Sequence, residues 1–172
     1  MADQDKSKII TYVIELCKIS VLLIETSTSG ALDRIARRWK LSNEESRKTS
    51  WFLSHESTLR KASEVPWPQL QRVLVHPDSE QLVTLSETIE QELTGEKKQT
   101  AYCRSKLSLP AEILNPPPLV TGDDLINQGI PPGKRYRSIL EKVRDAQLNQ
   151  EIFTKDGALK LARSVWESQR GQ

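Results

Sequence analysis

Histidine and cysteine are scarce in this chain, and their scarcity removes several kinds of chemistry. The only histidines are His55 and His76, with no second histidine or cysteine at ligand spacing. A zinc site needs three or four such ligands in register, so zinc is excluded as the organising feature. Cys17 and Cys103 lie far apart with no C-x-x-C spacing, which fits reduced thiols in a cytoplasmic protein better than a disulfide framework. No Gly-rich loop follows a strand, so neither a P-loop nor a dinucleotide fingerprint is present. Long apolar runs are missing too. The stretch Ile9 to Ile24 is interrupted by Thr11, Glu15, Lys18 and Ser20 and is too short for a bilayer, so no membrane partner is expected. No serine or cysteine has a base paired with it, and Asp3-Gln4-Asp5 has no strand around it to make a metal-binding pair. The chain shows no catalytic constellation.

What the chain does have is helix grammar. Its 172 residues fit one domain or two small ones. The apolar fraction of 37% and mean hydropathy of −0.52 are low for an enzyme core but too high for a disordered chain. Ile9, Ile10, Val13, Ile14, Leu16, Cys17 and Val21 suit a buried helix. Leu32, Ile35, Ala36 and Trp39 follow at helical spacing, with Arg37, Arg38 and Lys40 off the apolar stripe. Ser42-Asn-Glu-Glu45 is a capping box opening a helix to about His55. Pro68 suits a first helical position. Asp78 or Ser79 should cap a helix with Leu82, Leu85, Ile89 and Leu93 on one face, ended by Gly95. The segment from Tyr102 to Glu112 is ambiguous. No alternating strand pattern occurs, so the fold class is all-α, a multi-helix array.

Asn115-Pro-Pro-Pro118 is the clearest break, because each proline lacks a donor and disfavours helix in its predecessor. It divides the expected organisation into residues 1–114, a helical body, and 115–172, a C-terminal helical sub-domain. Beyond it, Thr121 caps a short helix ended by Gly129. A longer helix runs from about Pro132 to Asn149 with Tyr136, Ile139, Leu140 and Val143 inward. Thr154 caps a last one with Leu159, Ala162, Val165 and Trp166 inward. Asp123 and Asp124 read better as first-turn carboxylates complementing the helix dipole than as metal ligands.

Charge is segregated. From Asp78 to Glu96 every charged residue is acidic, whereas Arg34 to Lys61 is mostly basic. Two readings stay open: a basic and an acidic face, or ordinary solvated helix faces. The turn Gln128-Gly-Ile-Pro-Pro-Gly-Lys134 joins two helices in the manner of a long helix–hairpin–helix. A helix start offers unpaired N–H groups to phosphate, and Lys134, Arg135 and Arg137 add positive charge there. The candidate nucleic-acid contacts are therefore Lys134, Arg135, Arg137, Gly129 and Gly133, with Arg37, Arg38 and Lys40 as a second cluster.

Three segments carry a family resemblance. Ile35-Ala-Arg-Arg-Trp-Lys-Leu-Ser-Asn-Glu-Glu45, continuing to His55, resembles the body region of bacterial CCA-adding enzymes and poly(A) polymerases. Trp67 to Leu85, with Val75-His-Pro-Asp78 inside, is similar to the helices that follow. Pro118-Leu-Val-Thr-Gly-Asp-Asp-Leu-Ile126 through Pro132-Gly133 to Gln147 resembles the C-terminal tail motif, on which Gly129, Pro132 and Gly133 match. The resemblance covers about residues 30 to 165. It implies an all-helical body and tail that grip tRNA through backbone phosphates. The family's catalytic head, with its magnesium carboxylates and CTP or ATP selection, has no counterpart here. No cofactor is therefore expected in this chain, which reads as a non-catalytic piece of a nucleotidyltransferase. Other readings remain: a helical interaction or dimerisation module, whose N-terminal helix packs on the missing head or a second copy, and a DNA-binding helix–hairpin–helix protein.

Overall fold

The computed structural model describes residues 42–133 and 135–170. The helices expected before residue 41, the Arg37, Arg38 and Lys40 cluster, Cys17 and Lys134 lie outside the described residues. Every regular element among the described residues is helical: α1 (Asn43–Leu59), α2 (Trp67–Leu74), α3 (Ser79–Thr94), α4 (Lys98–Leu107), α5 (Ala111–Leu114), α6 (Gly122–Asn127), α7 (Arg135–Leu148) and α8 (Lys155–Arg170). The fold is all-α. The chain divides into two compact units, one of residues 1–65 and 73–108, the other of 66–72 and 109–172.

In the first unit the capping box forms as its residues dictate. The Glu45 N–H donates to Ser42 Oγ, and the Ser42 N–H donates back to Glu45 Oε2 at 2.8 Å. The resulting α1 runs one turn past His55 and buries Phe52 and Leu59. Leu82, Val83 and Leu85 of α3 and Cys103 of α4 complete the core, and α3 packs against both α1 and α4. Gly95 ends α3 in the left-handed region at φ 72°, its N–H donating to the Gln91 carbonyl. One expectation needs correction: Leu93, in the last turn of α3, is 56% exposed rather than on the core face. Asp78 occupies the N-cap position as expected but makes no side-chain cap hydrogen bond, and its carboxylate lies 2.6 Å from Lys48 Nζ. The ambiguous stretch resolves as α4 and the single turn α5, separated by Pro110.

The second unit is built on α7 and α8. Ile139, Val143, Ala158, Ala162 and Val165 form its centre together with Val120, Leu125 and Ile130. Tyr136, Leu140, Leu159 and Trp166 pack at its margin. The periodicity therefore picked the correct faces of both helices, although α7 starts at Arg135 rather than Pro132. Thr121 and Asp124 make a second capping box at α6.

The proline segment is not a loose strap. Its prolines offer carbonyls but no N–H groups, so donors must come from elsewhere. Arg144 donates to the Pro116 carbonyl at 2.7 Å and to Asn115 Oδ1 at 2.9 Å. Gln147 donates to the Pro117 carbonyl at 2.8 Å, and Gln71 to the Leu114 carbonyl at 3.0 Å. The segment is thus tied to α7 and to residues 66–72 within one unit.

Candidate nucleic-acid interface

The turn between α6 and α7 holds the sequence-predicted site residues that fall within the described part. After α6 the Gly129 N–H donates to the Ile126 carbonyl at 2.9 Å, and the Ile130 N–H to the Leu125 carbonyl at 3.0 Å. This double bond pattern closes a helix only if the residue between adopts positive φ, and Gly129 does so at 74°. Ile130 then drops into the core at 2% exposure. Its carbonyl accepts from the Tyr136 hydroxyl, and the Tyr136 N–H donates to the Gly133 carbonyl at 3.0 Å. The turn is thereby fixed to the first residues of α7, with Gly133 exposed and nothing within 4 Å of where a side chain would begin.

The cations around this turn differ in what they already touch. Arg137 is bonded to Glu141 one turn on, Nε to Oε1 at 2.9 Å, and that bond raises its pKa further. Arg135, by contrast, is exposed and has no carboxylate partner among the described residues. The same holds for Lys142 on the face of α7 that carries Arg135. It holds for Lys160 of α8 as well. Arg163 of α8 approaches the neutral Gln128, its side-chain oxygen at 3.3 Å and its backbone carbonyl at 3.5 Å. Arg144 is half-buried and its guanidinium meets neutral acceptors alone, the carbonyls above and Gln147 Oε1. Burial lowers its pKa, and the nearby charge of Arg72 lowers it further. Lys142, Arg144, Lys160 and Arg163 were not singled out from the sequence. The 3.6-residue periodicity that marks the apolar stripe also marks its polar complement, and would have found Lys142 and Lys160.

The first unit handles charge differently. Glu90 is buried, yet its carboxylate accepts from the N–H groups of Gln99 and Thr100 and from the Thr100 hydroxyl, at 2.7 to 2.9 Å. Burial pushes its pKa up, but these bonds outweigh that and the net shift is downward. Glu87 meets Lys97 at 2.9 Å and Arg104 at 3.2 Å, and Glu80 meets Arg104 at 3.0 Å. Glu56 is the exception. It is buried 2.9 Å from Arg60 Nε, but neither oxygen is hydrogen-bonded, so burial holds its pKa above the ordinary value against the opposing Arg60 charge.

Both histidines serve a ring stack. The Trp51 indole lies parallel to His76 at 3.9 Å and to His55 at 4.8 Å between centroids. Cys103 is a buried free thiol, pushed up to about 11 by burial and then by the Glu90 charge, so it is a poor nucleophile. Among the described residues no three His, Cys, Asp or Glu side chains converge to hold a metal. Asp124, the best acidic candidate, is already bonded to Lys155 and to Thr121, and these bonds hold it at about 2. The described residues do not fit a magnesium site.

Against that geometry the comparisons with known proteins are informative. A family model described as tRNA nucleotidyltransferase domain 2, putative, matches residues 15–162. The chain belongs to this family. An A-adding tRNA nucleotidyltransferase from Geobacter sulfurreducens is 51% identical over 49 residues, which is 28% of this chain and 6% of that protein. The chain thus spans a small part of the relative it matches, and no solved structure matches it. No described helix is long and apolar enough to cross a membrane.

Proposed function

We propose that this chain is the tRNA-gripping helical body and tail of a tRNA nucleotidyltransferase, binding RNA through its phosphates. The observation that carries the reading is the set of solvent-facing cations on α7 and α8, Arg135, Lys142 and Lys160, without carboxylate partners in a chain of this family. A cation that neutralises a phosphate releases counterions from the nucleic acid, so binding should be strongly salt-dependent and largely indifferent to base identity. Lys134 and the Arg37, Arg38 and Lys40 cluster, outside the described residues, are further candidate phosphate contacts in this reading. RNA duplexes are recognised by shape and backbone rather than by base edges, which suits a helical surface carrying cations. Nucleotide addition, with its magnesium and its choice of CTP or ATP, belongs in this reading to the remainder of a longer enzyme acting in the cytoplasm.

Fluorescence anisotropy of labelled tRNA, titrated with this chain at low and moderate salt against a duplex DNA competitor, tests the proposal. Binding that weakens with salt and survives the DNA competitor supports it. Absence of binding at low salt overturns it and leaves a helical packing module for the rest of the enzyme. Equal affinity for DNA would instead favour a general helix–hairpin–helix binder.

A further inference from the structure

Within the second unit α7 and the chain leading into α6 enclose a cavity of about 580 Å³. That volume lies within the range of small-molecule pockets, roughly 300 to 1,000 Å³. Leu119, Val120, Leu140 and Val143 give it an apolar floor, and Arg72, Arg137 and Arg144 stand around it. The arginines are not equally satisfied. Arg72 is paired with Asp145 at 2.5 Å, and Arg137 with Glu141 at 2.9 Å. Arg144 faces only the carbonyl oxygens of Pro116, Asn115 and Gln147. The cavity therefore carries one positive charge in excess, on a guanidinium whose position is fixed by three hydrogen bonds.

An apolar slot beside one uncompensated arginine fits a ligand with a flat apolar body and a single negative charge. A nucleotide unit of a nucleic-acid strand has that composition, one base and one phosphate, and guanidinium planes stack well on bases. Arg137 and Glu141 at the cavity lie on the same helix as Arg135 and Lys142 but on its opposite face, so a strand held by those cations reaches the cavity by crossing α7 rather than by running along the cavity wall. We propose that this cavity receives one unpaired nucleotide of a bound RNA strand, with its base against Leu119 and Leu140 and its phosphate on Arg144. The proposal rests on the RNA-binding reading above. It adds a position at which a nucleotide leaves the duplex.

The test uses the full chain with two probes of equal length, a single-stranded RNA carrying one 2-aminopurine and a blunt RNA duplex. Leu140→Trp fills the cavity from its floor. Arg144→Gln removes the excess charge while keeping a donor for the Pro116 carbonyl. Thermal unfolding followed by circular dichroism verifies that each variant is folded. Leu140→Trp should weaken the single strand about tenfold, as losing one stacked base does, and abolish the 2-aminopurine change on binding. The duplex should lose less than about twofold in affinity, within 0.4 kcal/mol. Arg144→Gln should lower the single-strand salt slope by about 0.7, one phosphate contact.

Failure separates cleanly. If the wild-type chain binds RNA but a folded Leu140→Trp or Arg144→Gln leaves the single strand unaffected, the cavity proposal falls and the phosphate-gripping reading stands. If the wild-type chain binds neither probe at low salt, both fall together. If free AMP occupies the cavity while single-strand affinity is unaffected by it, the occupant is a mononucleotide and the strand proposal is overturned.

Discussion

The helix pairs α3–α4 and α7–α8 are each the closest partners in their unit, yet their charges are arranged in opposite ways. α3 carries Glu80, Glu87, Glu90 and Glu92 with no base, and α4 carries Lys98, Arg104 and Lys106 with no acid. They meet across the pair through ion pairs of Arg104 with Glu80 and Glu87, and through hydrogen bonds from Thr100 to the Glu90 carboxylate. In α7 and α8 both helices have four basic residues against two acidic. They meet through Ile139, Val143, Ala158, Ala162 and Val165, and most of their cations point to solvent. Opposite charges on α3 and α4 serve the fold, while the excess of cations on α7 and α8 leaves a net positive surface.

Substitutions can break that contrast from either side. The largest effect on stability is expected from Glu90→Ala. It strands three buried or half-buried donors and should cost the first unit about 3 kcal/mol, given ~1 kcal/mol or more per unsatisfied group. RNA affinity should not follow it. Urea denaturation and tRNA anisotropy on the same preparation check both halves. Acid should act in the same direction. Because the folded pKa of Glu90 lies below its usual 4.5, its contribution is complete above that pH and is lost as pH falls through the lowered value. The denaturation midpoint of the first unit should therefore drop on acidification below pH 4.5, and Glu90→Gln should reduce that dependence, leaving the part carried by Glu45 and Glu87, whose pKa values are also lowered.

Next in size is the combined change Arg135→Ser, Lys142→Ser and Lys160→Ser. It should leave the denaturation midpoint within about 0.5 kcal/mol, as expected for surface positions. Its effect should appear in RNA binding, where the salt slope falls by about two units for three phosphate contacts. The reciprocal change, Lys97→Ala with Arg104→Ala, should cost the first unit about 1 kcal/mol in exposed ion pairs and leave the RNA salt slope unaltered. The smallest effect is expected at Gln150, whose φ of 61° is one that non-glycine residues adopt only under strain. Gln150→Gly should stabilise the second unit by about 0.5 to 1 kcal/mol, read as a raised unfolding temperature.

Much of this contrast was legible beforehand. The acidic run, the Ser42–Glu45 capping box and the Thr121 cap rest on local rules, and local rules read well from one sequence, as do Gly95 and Gly129 at helix ends. The inward positions of α7 and α8 follow from periodicity alone, although Ala158, fully buried, was hidden by its small side chain. The facts that escaped depend on residues far apart. Nothing near Glu90 in the sequence says that its carboxylate turns inward to cap the start of α4, while Glu92 beside it stays exposed. Nothing near Arg144 says that it takes up the carbonyls of a proline run 28 residues earlier. Nor does composition show that residues 66–72 join the second unit. Of the candidate contacts, Arg135 keeps its charge free, whereas Arg137 is held by Glu141 at a spacing the sequence does display, i to i+4.

The most direct test of the account is a tRNA salt titration comparing three proteins: the wild-type chain, the Arg135, Lys142 and Lys160 triple serine variant, and the Lys97 and Arg104 double alanine variant. The account predicts that the plot of log affinity against log salt flattens by about two units for the triple variant alone. Equal slopes for all three, or flattening by the α3–α4 variant instead, would contradict it.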